Sequence, residues 1–324
     1  MANPFQVPGT RPGSREPLCP WREPCHIDYY VKVDQFGEAM AKFEQQIASL
    51  LSLPADQRLS EEGKLVVATG GSGCGKTSLL HWCADRLDAV TNRVGGAYQR
   101  GALIVDRSKC RYPKEVRRSE EDRVKFICQE TFLKLRRQNV IDWPDELAEV
   151  LKAHGYRLWY DELTRHAAKR GIVLIMVLPP IVDFLEELNT YYHLAMSCGR
   201  IVFLAESSEA VIEDHLEDES RCGSETIWLQ VGSIRETDGW LLVDNRLRQV
   251  ERDSVPQIAK RDINRTVRYM LSQDIDHSVR RLGSVLYGAW EAHRDESPPG
   301  RVTARELQAQ LGRPHPVLPF RRRA

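Results

Sequence analysis

Phe36, Met40, Phe43, Ile47 and Leu50 recur every three or four residues among polar neighbours. That spacing puts them on one face of an amphipathic helix. After the polar connector PADQRLSEEG the period changes, and Leu65 to Ala68 is an unbroken apolar run that opens into glycines. Four more short runs follow: ALIVD (102–106), IVLIMVL (172–178), RIVFLAES (200–207) and TIWLQV (226–231). Continuous Val- and Ile-rich runs suit strands buried on both faces of a parallel sheet. The segments between them have helical periods, including EEDRVKFICQETFLKLRRQ, DELAEVLKAH and YDELTRHAAKR before the third strand. Alternating strands and helices predict an α/β, doubly wound parallel five-stranded sheet. Beyond Val231 the apolar spacing is helical throughout, through DGWLLVDNRLRQV, NRTVRYMLSQ, HSVRRLGSVLYGAWEAH and TARELQAQL. A small all-helical C-terminal domain is therefore expected.

Composition changes this picture little. The 324 residues are 42% hydrophobic and 28% charged, ordinary values for a packed globular chain. The 46 basic and 46 acidic residues cancel, so no global field recruits nucleic acid or anionic membrane. No apolar run nears the roughly 20 residues that span a bilayer. The opening MANPFQVPGTRPGSREP lacks an apolar core of the secretory type. With eight scattered cysteines and no regular framework, reduced thiols and a cytoplasmic setting are expected. Cys19, Cys25 and His26 lie close together in CPWREPCH but lack the second ligand pair of a zinc site. The basic run RSKCRYPKEVRR reads first as a solvated loop, with contact to nucleic-acid phosphates as the alternative.

The chemistry concentrates after the first strand, in GGSGCGKTS from Gly70 to Ser78. Gly70, four residues, then Gly75, Lys76 and Thr77 make a P-loop between a strand and a helix, as that motif requires. Gly70, Gly71, Gly73 and Gly75, with Ser72 and Cys74 between them, let backbone N–H groups curl around phosphate oxygens. The helix that follows adds its positive end. Lys76 is expected to reach the β- and γ-phosphates and the Thr77 hydroxyl to ligate magnesium, so ATP and Mg2+ are the cofactors expected. A GTPase would carry DxxG and NKxD after the P-loop. Here DQFG precedes it, and AKRD follows helical sequence.

This order of elements resembles the AAA+ superfamily, in particular its Orc/Cdc6-like and STAND-adjacent members, over about residues 28 to 312. GGSGCGKTSLL is similar to the family's Walker A. GIVLIMVLPPIVDFLEEL stands at the Walker B strand, GRIVFLAESSEAVIEDHL at the sensor 1 strand, and DHSVRRLGSVLYGAW at the sensor 2 helix of the lid. The resemblance implies an irregular arm over 1–27, a P-loop domain over 28–248, a helical lid over 249–312 and a loose basic tail over 313–324. It makes Ser207, or Glu206 beside it, sensor 1. It makes Arg280 or Arg281 sensor 2, and Arg221 a candidate arginine finger.

One departure stands out. The family ends its third strand in Asp-Glu, the Asp serving magnesium and the Glu orienting water; this chain has Pro179-Pro180. Proline offers neither charge nor a side-chain acceptor. Asp183, Asp106 and Glu206 are the substitutes within reach of the sequence. Losing both acids removes much of the electrostatic stabilisation and water positioning on which phosphoryl transfer depends. The expected function is ATP-controlled assembly, with a protein partner or by self-association, and with slow or absent hydrolysis. An active ATPase in a DNA-associated or defence-type complex and an interaction module with structural nucleotide are the alternatives.

Overall fold

The five apolar runs form one parallel sheet, in the order β2-β3-β4-β1-β5. In this computed structural model the strands are β1 (Lys64–Thr69), β2 (Ala102–Asp106), β3 (Val173–Val177), β4 (Ile201–Ser207) and β5 (Thr226–Gln230). The structure describes residues 3–10, 16–52, 59, 63–92, 101–140, 155–181, 184–207, 226–250, 256–276, 278–293 and 300–312. Helices α1 (Asp34–Ser52), α2 (Lys76–Asn92), α3 (Glu120–Arg137), α4 (Tyr156–Arg170) and α5 (Phe184–Ser197) flank the sheet. The candidate acid Asp183, the candidate arginine finger Arg221, part of the helical insert and the basic tail lie outside the described residues.

Strand alternation sorts the core. Leu65 and Val67, Leu174 and Met176, and Ile201, Phe203 and Ala205 join one cluster with Ile127 and Phe132 of α3, Trp159 and Tyr160 of α4, and Tyr191 of α5. The aromatics of YRLWYDEL are thus packing groups: Trp159 meets Phe132 at 5.2 Å and Tyr160 meets Phe203 at 5.6 Å between ring centroids. In α1, Phe43 sets its ring edge on Trp82 of α2. Arg123 of α3, in the insert, and Glu187 of α5, beyond β3, form an ion pair of 2.9 Å, with both side chains almost wholly buried.

Contacts divide the chain into two compact units, one of Pro17–Ile27 with Gln35–Gly232 and one of Met1–Glu16, Asp28–Asp34 and Ser233–Ala324. The second is built on α6 (Asp238–Arg248), α7 (Lys260–Ser272), α8 (Val279–Ala292) and α9 (Ala304–Leu311). Leu242, Val243, Ile263, Val267, Leu282, Leu286 and Leu307 meet in its core. The units part at Gly232 rather than at residue 248, because α6 lends Leu242 and Val243 to this helical core. A parallel ladder of two residues a side, β6 (Gln257–Ile258) with β7 (Arg301–Val302), is added to the helices. Two residues carry no periodic signal, so this ladder was not legible in the sequence.

The described residues of the N-terminal arm are turns and coil with one short 3-10 helix, Pro24–Tyr29, and they make specific contacts. In the helical unit the Asn3 side-chain amide donates to the Tyr287 carbonyl (3.2 Å) and to Glu291 (2.9 Å), and Phe5 packs edge-on to Trp290. Asn245 donates to the Asp28 carbonyl, and the Arg246 guanidinium lies 4.4 Å from the Tyr29 ring centre.

Candidate functional site

The carboxyl end of β1 turns sharply at Gly70, whose φ of 136° few side chains tolerate. A Cβ there would stand 1.9 Å from the Val231 carbonyl oxygen, where the chain leaving β5 passes; the Val231 N–H donates to Thr69 at 2.8 Å. Only glycine permits that approach. Gly73 and Gly75 also take positive φ, at 82° and 99°. Gly71 and Ser72 are exposed, and α2 begins at Lys76. The result is a loop of backbone N–H groups at a helix start, open to solvent on its outer side, which is the geometry of an anion cradle. Ligand sites in open α/β sheets lie beyond the carboxyl ends of the strands, and this loop lies at the end of β1, between β4 and β5.

Lys76 is buried, and its ammonium donates to the Gly70 and Gly71 carbonyls, each at 2.7 Å. The charge is held against the loop it is expected to serve. Cys74 is only 2% exposed, which removes it as an accessible, reactive thiol. The Thr77 hydroxyl donates to Glu206 Oε2 at 2.7 Å. Glu206 and Ser207 end β4 in register with Ala68 and Thr69 of β1, and both are buried. Two expected site residues from distant parts of the sequence, Thr77 and Glu206, are therefore in direct contact.

The proline pair acts on the neighbouring ladder. Leu174 N–H bonds the Arg200 carbonyl and Leu178 N–H the Leu204 carbonyl, both at 2.8 Å. The same stride next needs residue 180 to donate to Glu206, but proline has no N–H. Ile181 makes that bond instead, at 3.0 Å. The chain has gained one residue against β4, as in a bulge. Pro179 is buried, and no acid stands at the end of β3 among the described residues.

Asp106, another candidate, is engaged elsewhere. It accepts from the Ser108 N–H (2.9 Å) and hydroxyl (2.6 Å) and from Arg22 (2.7 Å). Burial pushes its pKa up, but the nearby His81 and the bonds from Ser108 outweigh that and hold it well below the usual carboxylate range. His81 Nε2 is 3.7 Å from Asp106, a charge pair too long for a hydrogen bond. Around this pair runs a strap, residues 17–27, absent from the site as read from sequence. Leu18 N–H donates to the Ser78 hydroxyl at 3.1 Å, and His81 Nδ1 donates to the Leu18 carbonyl at 3.0 Å. Trp21 sets its ring against His81, and the Arg22 guanidinium lies 4.5 Å from the Trp21 ring centre. His26 Nδ1 accepts the Cys19 N–H at 2.8 Å, so the CPWREPCH cluster is a local fold, and no group of potential metal ligands occurs among the described residues. The one available signal was Pro-Trp-Arg, an apolar ring beside a charge in an otherwise polar arm.

Burial opposes charge on His81, but Asp106 and then Cys19 outweigh it and raise its pKa from 6.5 to about 9. A raised folded-state value contributes stability that is full below about 6.5 and is lost as pH rises through about 9. The thermal midpoint of wild type is thus expected to exceed that of His81→Gln most at pH 6 and to converge on it above pH 9. An equal gap at pH 6 and pH 10 would exclude the charge pair as its cause.

The expected sensor 2 pair separates. Arg281 donates to the Leu311 carbonyl at 2.5 Å, at the end of α9, whereas Arg280 is exposed with no side-chain partner among the described residues.

Comparison with solved structures gives this arrangement a family likeness. The Aeropyrum pernix ORC2 protein, in its ADPNP-ADP complexes, superposes with a TM-score of 0.55 at 16% identity, over 85% of this chain and 66% of that one. Its ADP form gives 0.55 at 15%, over 85% and 67%. The chain has an AAA+ fold of the Orc/Cdc6 type. A chain of Drosophila ORC bound to DNA aligns at 13% identity over 82% of this chain and 64% of that one, with a TM-score of 0.45. No family model matches the sequence, and no curated protein does. At such identities the likeness is one of fold. The sheet order sets the P-loop strand β1 between β4 and β5, with Glu206 on the central strand β4 beside it. No helix among the described residues is long and apolar enough to cross a membrane.

Proposed function

We propose that this chain binds ATP with magnesium and uses the bound nucleotide to control assembly, with a protein partner or with copies of itself, while hydrolysing it slowly or not at all. The carrying observation is a contrast within one site. The phosphate loop has every residue its chemistry needs, whereas β3 runs into Pro179 and Pro180 where the attacking water needs a carboxylate. Binding rests on the loop, Lys76 and the helix start; turnover rests on an acid at that strand end. Nucleotide in the Aeropyrum ORC2 structures supports ATP as the ligand. Of the expected sensor 2 pair, Arg280 is the exposed one, at the start of α8. A planar guanidinium offers paired donors to phosphate oxygens, and Arg281 is held by Leu311. A ligand shifts an equilibrium only by its differential affinity for the two states, so contacts that need the γ-phosphate are what let ATP and ADP act differently.

Steady-state phosphate release at saturating ATP and magnesium tests the reading. Turnover is expected below about one per second, the low edge of ordinary enzyme rates. Addition of ATP is expected to change the sedimenting mass of the chain alone or with its partner. Faster turnover would support the second reading, an active ATPase in a DNA-associated or defence-type complex, which the Thr77–Glu206 contact favours by placing an acid beside the loop.

A further inference from the structure

We propose that Glu206 supplies the magnesium-shell carboxylate that the third strand has lost, so that the metal site has moved one strand across the sheet. The proposal rests on ATP binding at the loop and deepens that reading. Its basis is a buried anion without a cation. Glu206 is 8% exposed, and its Oε2 accepts one hydrogen bond, from the Thr77 hydroxyl at 2.7 Å. No basic side chain among the described residues pairs with Glu206, and its Oε1 has no partner among them. A carboxylate withdrawn from water without a counter-charge is costly. Two other buried acids have one: Glu187 has Arg123, and Asp106 has His81 and Arg22. At Glu206 the described residues supply no counter-charge, and the neighbouring group is the threonine of the phosphate loop.

Register carries the argument further. The last paired residues of β3 and β4 are Val177 and Leu204. Two residues beyond them stand Pro179, where the family's acid belongs, and Glu206. The acid has kept its level along the sheet and changed strand. Its backbone is fixed on both sides, by pairing with Ala68 of β1 and by the Ile181 N–H on its carbonyl. The second restraint exists because Pro180 cannot donate. The proline pair that leaves β3 without an acid therefore also anchors Glu206 on β4.

The donor set suits magnesium. This ion is seldom caged by protein alone; it keeps waters and takes one or two carboxylates together with substrate phosphates. One hydroxyl and one carboxylate beside a P-loop fit that pattern, and the lack of a larger ligand cluster among the described residues agrees with it. When bound, the ion would neutralise charge on the β- and γ-phosphate oxygens. Thr77 and Glu206 would hold it there.

Calorimetric titration of ATP into the full chain, with magnesium and with EDTA, tests the assignment. In wild type, magnesium is expected to tighten ATP binding. In Glu206→Gln, which keeps the acceptor for Thr77 and loses the charge, that gain should shrink by about tenfold or more, in the range of altered metal sites. Affinity in EDTA should hold or rise, since a negative charge near the phosphates is gone. Manganese, followed by electron paramagnetic resonance, should bind the ATP complex of Glu206→Gln correspondingly more weakly. Glu206→Asp, with a shorter reach, should fall between. A magnesium gain that is unchanged in Glu206→Gln, or that disappears instead in Asp183→Asn, overturns the assignment and leaves ATP binding standing. No ATP binding by wild type overturns both.

Discussion

Lys76→Ala is expected to weaken ATP binding by about 2–3 kcal/mol, a factor of roughly thirty to a hundred and fifty, the range for hydrogen bonds to charged groups. The ammonium is buried at the mouth of the loop and held by two loop carbonyls at 2.7 Å. It is pre-positioned in a poorly hydrated place, where a charge acts more strongly than in water. The backbone donors of the loop and the end of α2 remain in the variant, which is why a residual affinity is expected. Lys76→Arg should not restore binding, because a planar fork cannot replace a compact ammonium within a loop of this radius. Titration of ATP into wild type, Lys76→Ala and Lys76→Arg measures both points. Equal affinity of Lys76→Ala and wild type would remove the phosphate loop from the nucleotide site.

The sheet and the loop were legible in the sequence because their signals are local. Leu65 to Ala68 followed by Gly70-x-x-x-x-Gly75-Lys76-Thr77 specifies strand, turn and helix within a dozen residues, and β1 and α2 form there. The strap was not legible. Leu18 on Ser78 and Arg22 on Asp106 join residues 60 and 84 positions apart, and no periodicity encodes such a pairing. The choice among the substitute acids was hidden for a related reason. Sequence distance from Pro179 favours Asp183, whereas sheet order makes β4 the neighbour of β1 and so brings Glu206 to Thr77. The loss at Pro179-Pro180 could be read from residue chemistry alone. Its local consequence, an N–H shifted from residue 180 to Ile181, required the ladder.

The largest effect on stability is expected from the buried pair that joins the insert to α5. Arg123 and Glu187 are 3% and 1% exposed and 2.9 Å apart. A second guanidinium nitrogen donates to the Arg117 carbonyl at 3.0 Å, and the Tyr112 hydroxyl reaches Glu187 at 3.4 Å. Burial, and then the Glu187 charge, push the Tyr112 phenol far above its usual pKa, so it stays a donor to the carboxylate. Such a pair adds little net stability, because the desolvation of both ions offsets their attraction; removing one partner is different, since it strands a charge in the core at a cost of about 3–5 kcal/mol. Glu187→Gln should therefore lower the stability of the sheet unit by about 3 kcal/mol or more. Arg123→Met alone should be milder, because Tyr112 still serves the carboxylate. Arg123→Met with Glu187→Leu should recover much of the loss, as apolar groups of similar volume can replace both ions. Urea unfolding followed by intrinsic fluorescence gives the three values. Strict additivity of the single changes would mean that the two side chains are not coupled. The pair is also remote from the phosphate loop in purpose: it joins α3 to α5, the helix that follows the proline pair and packs on β1 and β4. Lowered stability with unaltered ATP affinity in Glu187→Gln would separate the part of this chain that holds the sheet together from the part that binds phosphate.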